Sequence, residues 1–333
     1  MSKQSDFAVY VQLLFAMLFF GLSFVFTSYS LQFLPPVTLI VVRLLISTLV
    51  LLFFSRLRWV TRVVGTLQHP ARGDIRLFFT VAMFQPFLYF LAENTGLLYA
   101  SPAIASIVVG TIPVATPVFA WMIIRERIEL PTVIGALLSF AGVFFLVLAD
   151  AEATGADPLG VLLVSGAVVA AVGYSIVLRT LPAHYTALTV VAWQNLFGLL
   201  LFFPVFIVLD VAQLLPALGP AAAHGAGDAL STGLASLTAY APTELLPLAA
   251  ALVFLGVFPS SLSFIFLSRG IRTLGATRAN VTTNLVPVFA ALFSALVLGE
   301  EITIATVAGM AIVISGVLLS QLTRLRRRAL AEP

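Results

Sequence analysis

Two ionisable side chains, Arg43 and Glu93, fall inside long apolar runs. Each costs about 2.5–3.5 kcal/mol at the centre of a membrane-spanning helix, so each needs a reason to be there. Counted at about 1.5 Å per residue from the ends of their runs, the two reach a similar depth. Two readings follow. In one, the pair neutralises two buried charges and pins two helices together. In the other, Glu93 titrates or contacts a solute, and Arg43 tunes its pKa or holds a solute carboxylate. Gln85, Tyr89 and Glu93 recur at four-residue intervals and make one polar stripe along a helix. Polarity is expensive against lipid, so we read the stripe as lining a cavity and not a lipid face.

A second polar face joins Asn280, Thr283, Asn284 and Pro287, spaced i, i+3, i+4, i+7, and its counterpart in the first half is Ser106, Gly110, Pro113 and Pro117. Asn280 and Asn284 either meet a solute or bond across helices, the latter worth about 0.6–2 kcal/mol each. Trp193, beside Gln194 and Asn195, stands near the second-half counterpart of Arg43. It stacks on a solute or cation, or it packs at the membrane interface. Ser23, Thr27, Ser260 and Ser261 line the same space or bond their own backbone carbonyls. His69, His184 and His224 lie in separate loops and the chain has no cysteine, so neither a metal nor another cofactor is expected. No Walker loop, HExxH or Ser/His/Asp set is present, which argues against an ATPase and against an intramembrane hydrolase.

The elements that must position these residues are helices in a membrane. Of the 333 residues 61% are hydrophobic and 9% charged, far from the roughly one quarter charged of soluble domains. Apolar runs fall near 8–31, 36–54, 77–98, 101–124, 131–149, 159–180, 187–210, 246–268, 276–298 and 302–322, each about the length that spans a bilayer. The expected fold is therefore an all-α polytopic membrane protein with ten transmembrane helices, the first run being retained as a span. With the N-terminus in the cytoplasm, all Lys and Arg except Arg43 gather on one side. Asp150, Glu152, Asp157, Asp210, Asp228, Glu244, Glu300 and Glu301 fall on the other. Both termini are then cytoplasmic. The arginines serve as topology anchors, compatible with anionic lipid contact, and nucleic-acid binding is excluded despite a pI near 9.5. Residues 211–245 form an external connection longer than ordinary loops.

A shift of 174 residues superposes Gly96 on Gly270, Pro113 on Pro287, Glu126 on Glu300, Ile128 on Ile302, Gly135 on Gly309 and Gly142 on Gly316. The chain thus reads as a duplicated five-helix unit, 1–150 and 151–333. An odd number of spans turns the second copy upside down, the arrangement of many secondary transporters with a central site and alternating access. Pro113 and Pro287 are expected as paired helix bends beside that site, because a proline removes a donor and crowds the preceding turn. The four glycines Gly135, Gly142, Gly309 and Gly316 mark close helix packing.

The motifs "FGLSFVFTS", Arg43 after "LPPV", "ENTGLLYASPAIASIVVGTIPVATPVF", "RERIELPTVIGALLSFAGVFFLV" and the echo "LVPVFAALFSALVLGEEITIATVAGMAIVISGVLL" resemble the EamA-type transporters of the drug/metabolite transporter superfamily. The resemblance covers essentially the whole chain. It implies ten helices in two inverted repeats and export or exchange of small organic solutes, such as amino acids or related metabolites, across a bacterial inner membrane. It departs in the long 211–245 connection and in "RER" where the family commonly has a small residue followed by GE. Proton coupling rests on Glu93. The competing reading in another class is a membrane receptor or scaffold that uses the same cavity without translocation, which would not need the internal repeat.

Overall fold

The computed structural model describes residues 3–99, 108–125, 130–150, 157–211, 242–298 and 304–331. Among them the chain is helical, with no strand. Helices α1 (Lys3–Ser30) and α2 (Pro36–Arg56) are joined by a short turn, and Pro36 opens α2 where a missing N–H costs nothing. A short helix, α3 (Arg58–Val64), leads into the third span. That span is α4 (Ile75–Ala82), a π-type turn over Met83–Leu88, and α5 (Tyr89–Gly96). Pro86 accounts for the break, since it cannot donate and it drives Gln85 out to φ −148°, ψ 120°. The first half ends with α6 (Ile112–Ile124) and α7 (Leu130–Asp150).

In the second half α8 (Pro158–Thr180) is capped by Asp157, whose carboxylate accepts from Leu159 N at 2.8 Å. Thr186 caps α9 (Ala187–Phe206), accepting from Thr189 N at 3.1 Å. Another broken span follows: α10 (Pro242–Val257), a π-type turn over Phe258–Ser263 and α11 (Phe264–Leu274). Gly275, at φ 97°, makes the reversal into α12 (Ala276–Val281), a turn that L side chains resist. A 3₁₀ turn over Thr282–Asn284 separates α12 from α13 (Leu285–Leu298), and α14 (Ile304–Ala331) closes the chain.

Among the described residues six helices are long and apolar enough to cross a membrane: 7–27, 36–56, 75–96, 158–180, 187–210 and 245–274. Three shorter apolar helices cover 112–124, 130–142 and 307–319. This is a multi-pass membrane protein. The expected ninth span is not one helix but α12, a 3₁₀ turn and α13. The expected eighth is longer than read, running to Leu274 through its break. The bends expected at Pro113 and Pro287 fall just ahead of them, at the turn of Gly110 and Thr111 and at the 3₁₀ turn. Each proline thus sits in the first turn of the helix that follows, where its missing N–H is cheapest. Ser106, Glu126, Ile128, His224, Glu300, Ile302 and residues 212–241 of the long connection lie outside the described residues.

Packing is unchanged when the halves are exchanged. Helix α1 lies on α13 and on the span α10–α11, just as α8 lies on α6 and on α4–α5, while α2 meets α9 and α7 meets α14. Two glycine contacts give the register. A Cβ on Gly96 would lie 2.6 Å from Val164, and one on Gly270 would lie 2.6 Å from Leu13. Gly96 and Gly270 differ by 174, but Leu13 and Val164 differ by 151, so α1 and α8 superpose at a different offset from the later helices.

The α7–α14 contact depends on absent side chains. A Cβ on Gly316 would meet Ser139 N at 2.4 Å and Gly135 O at 2.7 Å, and one on Gly142 would meet Val313 N at 2.7 Å. Backbone cannot yield as a side chain would, so the helices would have to separate. Gly316→Ala should cost about 1–3 kcal/mol of stability, the usual cost of overpacking. Gly73→Ala, with nothing within 4 Å of its added carbon, should cost far less. Thermal unfolding of the two purified variants in detergent checks the contrast; equal melting temperatures would remove the close approach as the cause.

Candidate functional site

The breaks converge on one interior cavity, walled by α1, α2, α4–α5, α6, α8, α11 and α12–α13. It offers about 90 Å³ to the centres of water-sized molecules. One water needs about 10–15 Å³ on that measure, so the space holds several waters or a small organic solute. Its walls are chiefly aromatic. The Phe264 ring meets Phe20, Phe90 and Tyr174 edge-on, with centroids 5.4, 6.2 and 6.3 Å away.

Of the residues singled out by sequence, Ser23, Thr27, Arg43, Gln85, Tyr89, Glu93, Asn280 and Thr283 line this cavity. Arg43 and Glu93 are 4% and 9% exposed and make no ion pair with each other. Instead Arg43 Nε donates to Ser260 Oγ and the guanidinium carbon sits 4.5 Å from the centroid of Phe90. Glu93 accepts from Tyr89 Oη at 2.8 Å. The direct ion pair considered from the sequence is thus not formed, although the two charges attract one another; Arg43 bonds Ser260 of the span α10–α11, and Glu93 bonds Tyr89 one turn back on its own helix. Asn280 Nδ2 donates to Thr116 Oγ1 at 2.9 Å and Ser175 Oγ at 2.8 Å, tying α12 to α6 and α8.

Asn284, Trp193, Ser260 and Ser261, offered as lining by the sequence, lie outside the cavity. Asn284 donates to Ser139 Oγ at 2.5 Å on α7, since the tighter 3₁₀ turn rotates it off the face of Asn280. Trp193 Nε1 donates to Gln68 O at 3.0 Å in the connection before α4, and its ring packs at a 41° tilt against Phe197. Gly135, Gly142, Gly309 and Gly316 belong to α7 and α14, outside the cavity. Sequence reading missed Tyr174, buried in the wall with an unpaired hydroxyl, and Phe90 and Phe264, which looked like ordinary packing. Phe90 and Phe264 are related by the 174 shift, a signal that was available.

The cavity is lopsided along the bundle. Call the end carrying the arginine-rich connections the basic end and the other the acidic end. Thr27 and Leu97 extend the lining toward the acidic end, yet their counterparts Leu178 and Ile271, toward the basic end, are fully buried in the core. A polar network closes the basic end. Arg272 donates to the carbonyls of Tyr185 and Pro182, and Arg179 donates to that of Arg272 at 2.9 Å. Tyr185 Oη donates to Asp74 at 2.7 Å and accepts from Ala71 N at 2.8 Å. The Ala71 bond favours the phenolate, but burial and the Asp74 carboxylate outweigh it and raise the Tyr185 pKa. A raised pKa means that the donor is present below the ordinary tyrosine value and is lost only as pH climbs through the raised one. At the acidic end Asp210 accepts from Thr38 N and Oγ1, both at 2.6 Å, capping α2.

The model of the EamA-like transporter family matches residues 8–148 and 158–322. An uncharacterized transporter of Archaeoglobus fulgidus is 25% identical over 303 residues, 90% of this chain and 93% of its own. The uncharacterized transporter YetK of Bacillus subtilis is 24% identical over 237 residues, 70% of this chain and 64% of its own. A solved crystal structure 21% identical to the chain superposes with a TM-score of 0.71 and covers 96% of this chain and 98% of its own, a likeness of fold.

Because the chain has no native cysteine, the closure can be probed with one introduced thiol. In a Leu178→Cys protein the thiol should react slowly with a polar maleimide in detergent. Adding Tyr185→Phe, which removes the donor to Asp74, should speed labelling several-fold, and an unchanged rate would mean that the network does not hold the basic end shut.

Proposed function

Because the chain belongs to the EamA-like transporter family, we propose that it is a secondary transporter that carries a small zwitterionic organic solute, an amino acid or a related metabolite, by alternating access. The observation that carries this reading is a cavity on the exchange axis of the two halves, faced by a guanidinium and a carboxylate that attract one another without making a direct ion pair. A directly bonded charged partner for each then comes with a solute. A solute carboxylate suits Arg43, a solute ammonium suits Glu93, and the aromatic walls suit an apolar side chain.

In this reading residues 1–150 and 151–333 are two inverted five-helix repeats, making ten spans in a bacterial inner membrane with both termini cytoplasmic. The basic end is then the cytoplasmic end by the positive-inside bias. The lopsided cavity supports an outward-leaning form, whose inward-leaning counterpart forms when the two repeats exchange roles. Export or exchange follows, with Glu93 also moving a proton when the solute leaves it.

The test is flux of radiolabelled amino acids in proteoliposomes with and without an imposed pH gradient. The wild type should transport, and the gradient should change the rate. Glu93→Gln should lower flux at least tenfold and abolish the response to the gradient. Saturable binding without flux would favour a receptor, and flux indifferent to pH in both proteins would leave uncoupled exchange.

A further inference from the structure

The broken span α10–α11 carries a polar cluster that the cavity does not include. Ser260, fully buried in its π-type turn, accepts at Oγ from Arg43 Nε. Its carbonyl accepts from Ser47 Oγ at 2.9 Å and from Asn195 Nδ2 at 3.1 Å. Asn195 Nδ2 also reaches Ser47 Oγ at 2.7 Å. Ser260 is thus held from α2 and from α9, and it in turn holds the side chain of Arg43 from a third element.

A guanidinium offers five donors in a fixed fork. With Nε engaged by Ser260 and the plane lying against Phe90, the two terminal nitrogens have no protein acceptor among the described residues. They form the edge that matches two carboxylate oxygens. Exchanging the halves places Gly198 and Pro86 where Ser47 and Ser260 stand, and a Cβ on Gly198 would lie 2.3 Å from Pro86 Cγ. The equivalent interface is apolar, and the counterpart of Arg43 is Gln194. Only one of the two related turns is built to orient a cation.

We propose that Ser260 is the positioning residue that sets Arg43 for two-point recognition of a solute carboxylate. It rests on the zwitterionic-solute reading above. Ser260 touches no solute itself. Its hydroxyl fixes which edge of the guanidinium the cavity presents, so its loss should act on carboxylate selectivity and not on binding at large.

The experiment measures binding of L-phenylalanine and L-phenylalaninamide to the purified full chain by thermal stabilisation in detergent. The wild type should prefer the acid at least tenfold. Ser260→Ala should lose most of that preference through weaker binding of the acid, with amide binding little changed, and Arg43→Ala should lose it entirely. Ser260→Thr, which keeps the hydroxyl, should restore it. Ser261→Ala is the control for loss of a neighbouring hydroxyl from the same cluster, because Ser261 Oγ bonds Gly256 O of α10 at 2.8 Å and Ser47 Oγ at 2.7 Å and does not touch Arg43. It should lower the melting temperature and keep the preference. The proposal is overturned if Ser260→Ala retains the wild-type preference, or if Ser260→Ala and Ser261→Ala lose it equally. Wild type binding the acid and the amide equally overturns it too, while leaving a cavity solute in place. Wild type binding neither overturns the solute class as well.

Discussion

A helix broken inside a bilayer leaves backbone groups that lipid cannot satisfy, and the rest of this architecture answers to that constraint. The breaks at Met83–Leu88, Phe258–Ser263 and Thr282–Asn284, and the turn before α6, all face other helices. At the second break the solution is explicit, with Ser47 and Asn195 donating to the carbonyl of Ser260. At the first, Gly198 brings α9 against Pro86, so the turn is enclosed by close packing instead. Irregular backbone is tolerated at membrane depth where protein or a cavity covers it, and here the covered breaks surround the cavity.

The same economy explains the charges. Two related halves predict two related cavity walls, and much of the wall conforms, with Phe90 opposite Phe264 and Ile112 opposite Val286. The ionic groups do not conform. Glu93 is matched by Leu267 and Arg43 by Gln194, so both charges enter from the first half. A symmetric scaffold therefore encloses an asymmetric field, able to distinguish the two ends of a solute. Gln194 retains the polarity of its position without the charge, and its amide is buried with neither atom paired among the described residues.

Much of this was legible in the residues. Hydropathy marked six of the ten expected spans as long apolar helices, and Tyr89 and Glu93 reached the cavity together because they stand one turn apart on α5. The stripe held even across the end of the π-type turn, since Gln85 is turned back to the cavity by the extended conformation that Pro86 imposes. The same logic failed for Asn284, where a 3₁₀ turn changed the angular step, and periodicity assumes a constant one. For Trp193 the packing alternative is the one the structure shows, its indole N–H bonding a loop carbonyl and its ring lying against Phe197. Loop carbonyls have no hydropathy signature. Arg43 and Glu93 attract one another as similar depth suggests, but depth does not fix azimuth, and Ser260, far along the chain, takes the Arg43 hydrogen bond.

The closure at the basic end is made of hydrogen bonds from arginine and tyrosine to loop carbonyls and one carboxylate, not of an apolar plug. Each of these bonds has a charged partner, and such bonds contribute about 1.5–3 kcal/mol net. The side chains behind them, Leu178 and Ile271, are fully buried, and exposing them would cost a similar amount, about 1.5–3 kcal/mol each. At the opposite end Thr27 and Leu97 already face the cavity. Exchanging the halves would bury this second pair as it exposes the first. The hydrophobic terms then largely cancel, and the difference between the two forms falls to the polar network and to whatever occupies the space between Arg43 and Glu93.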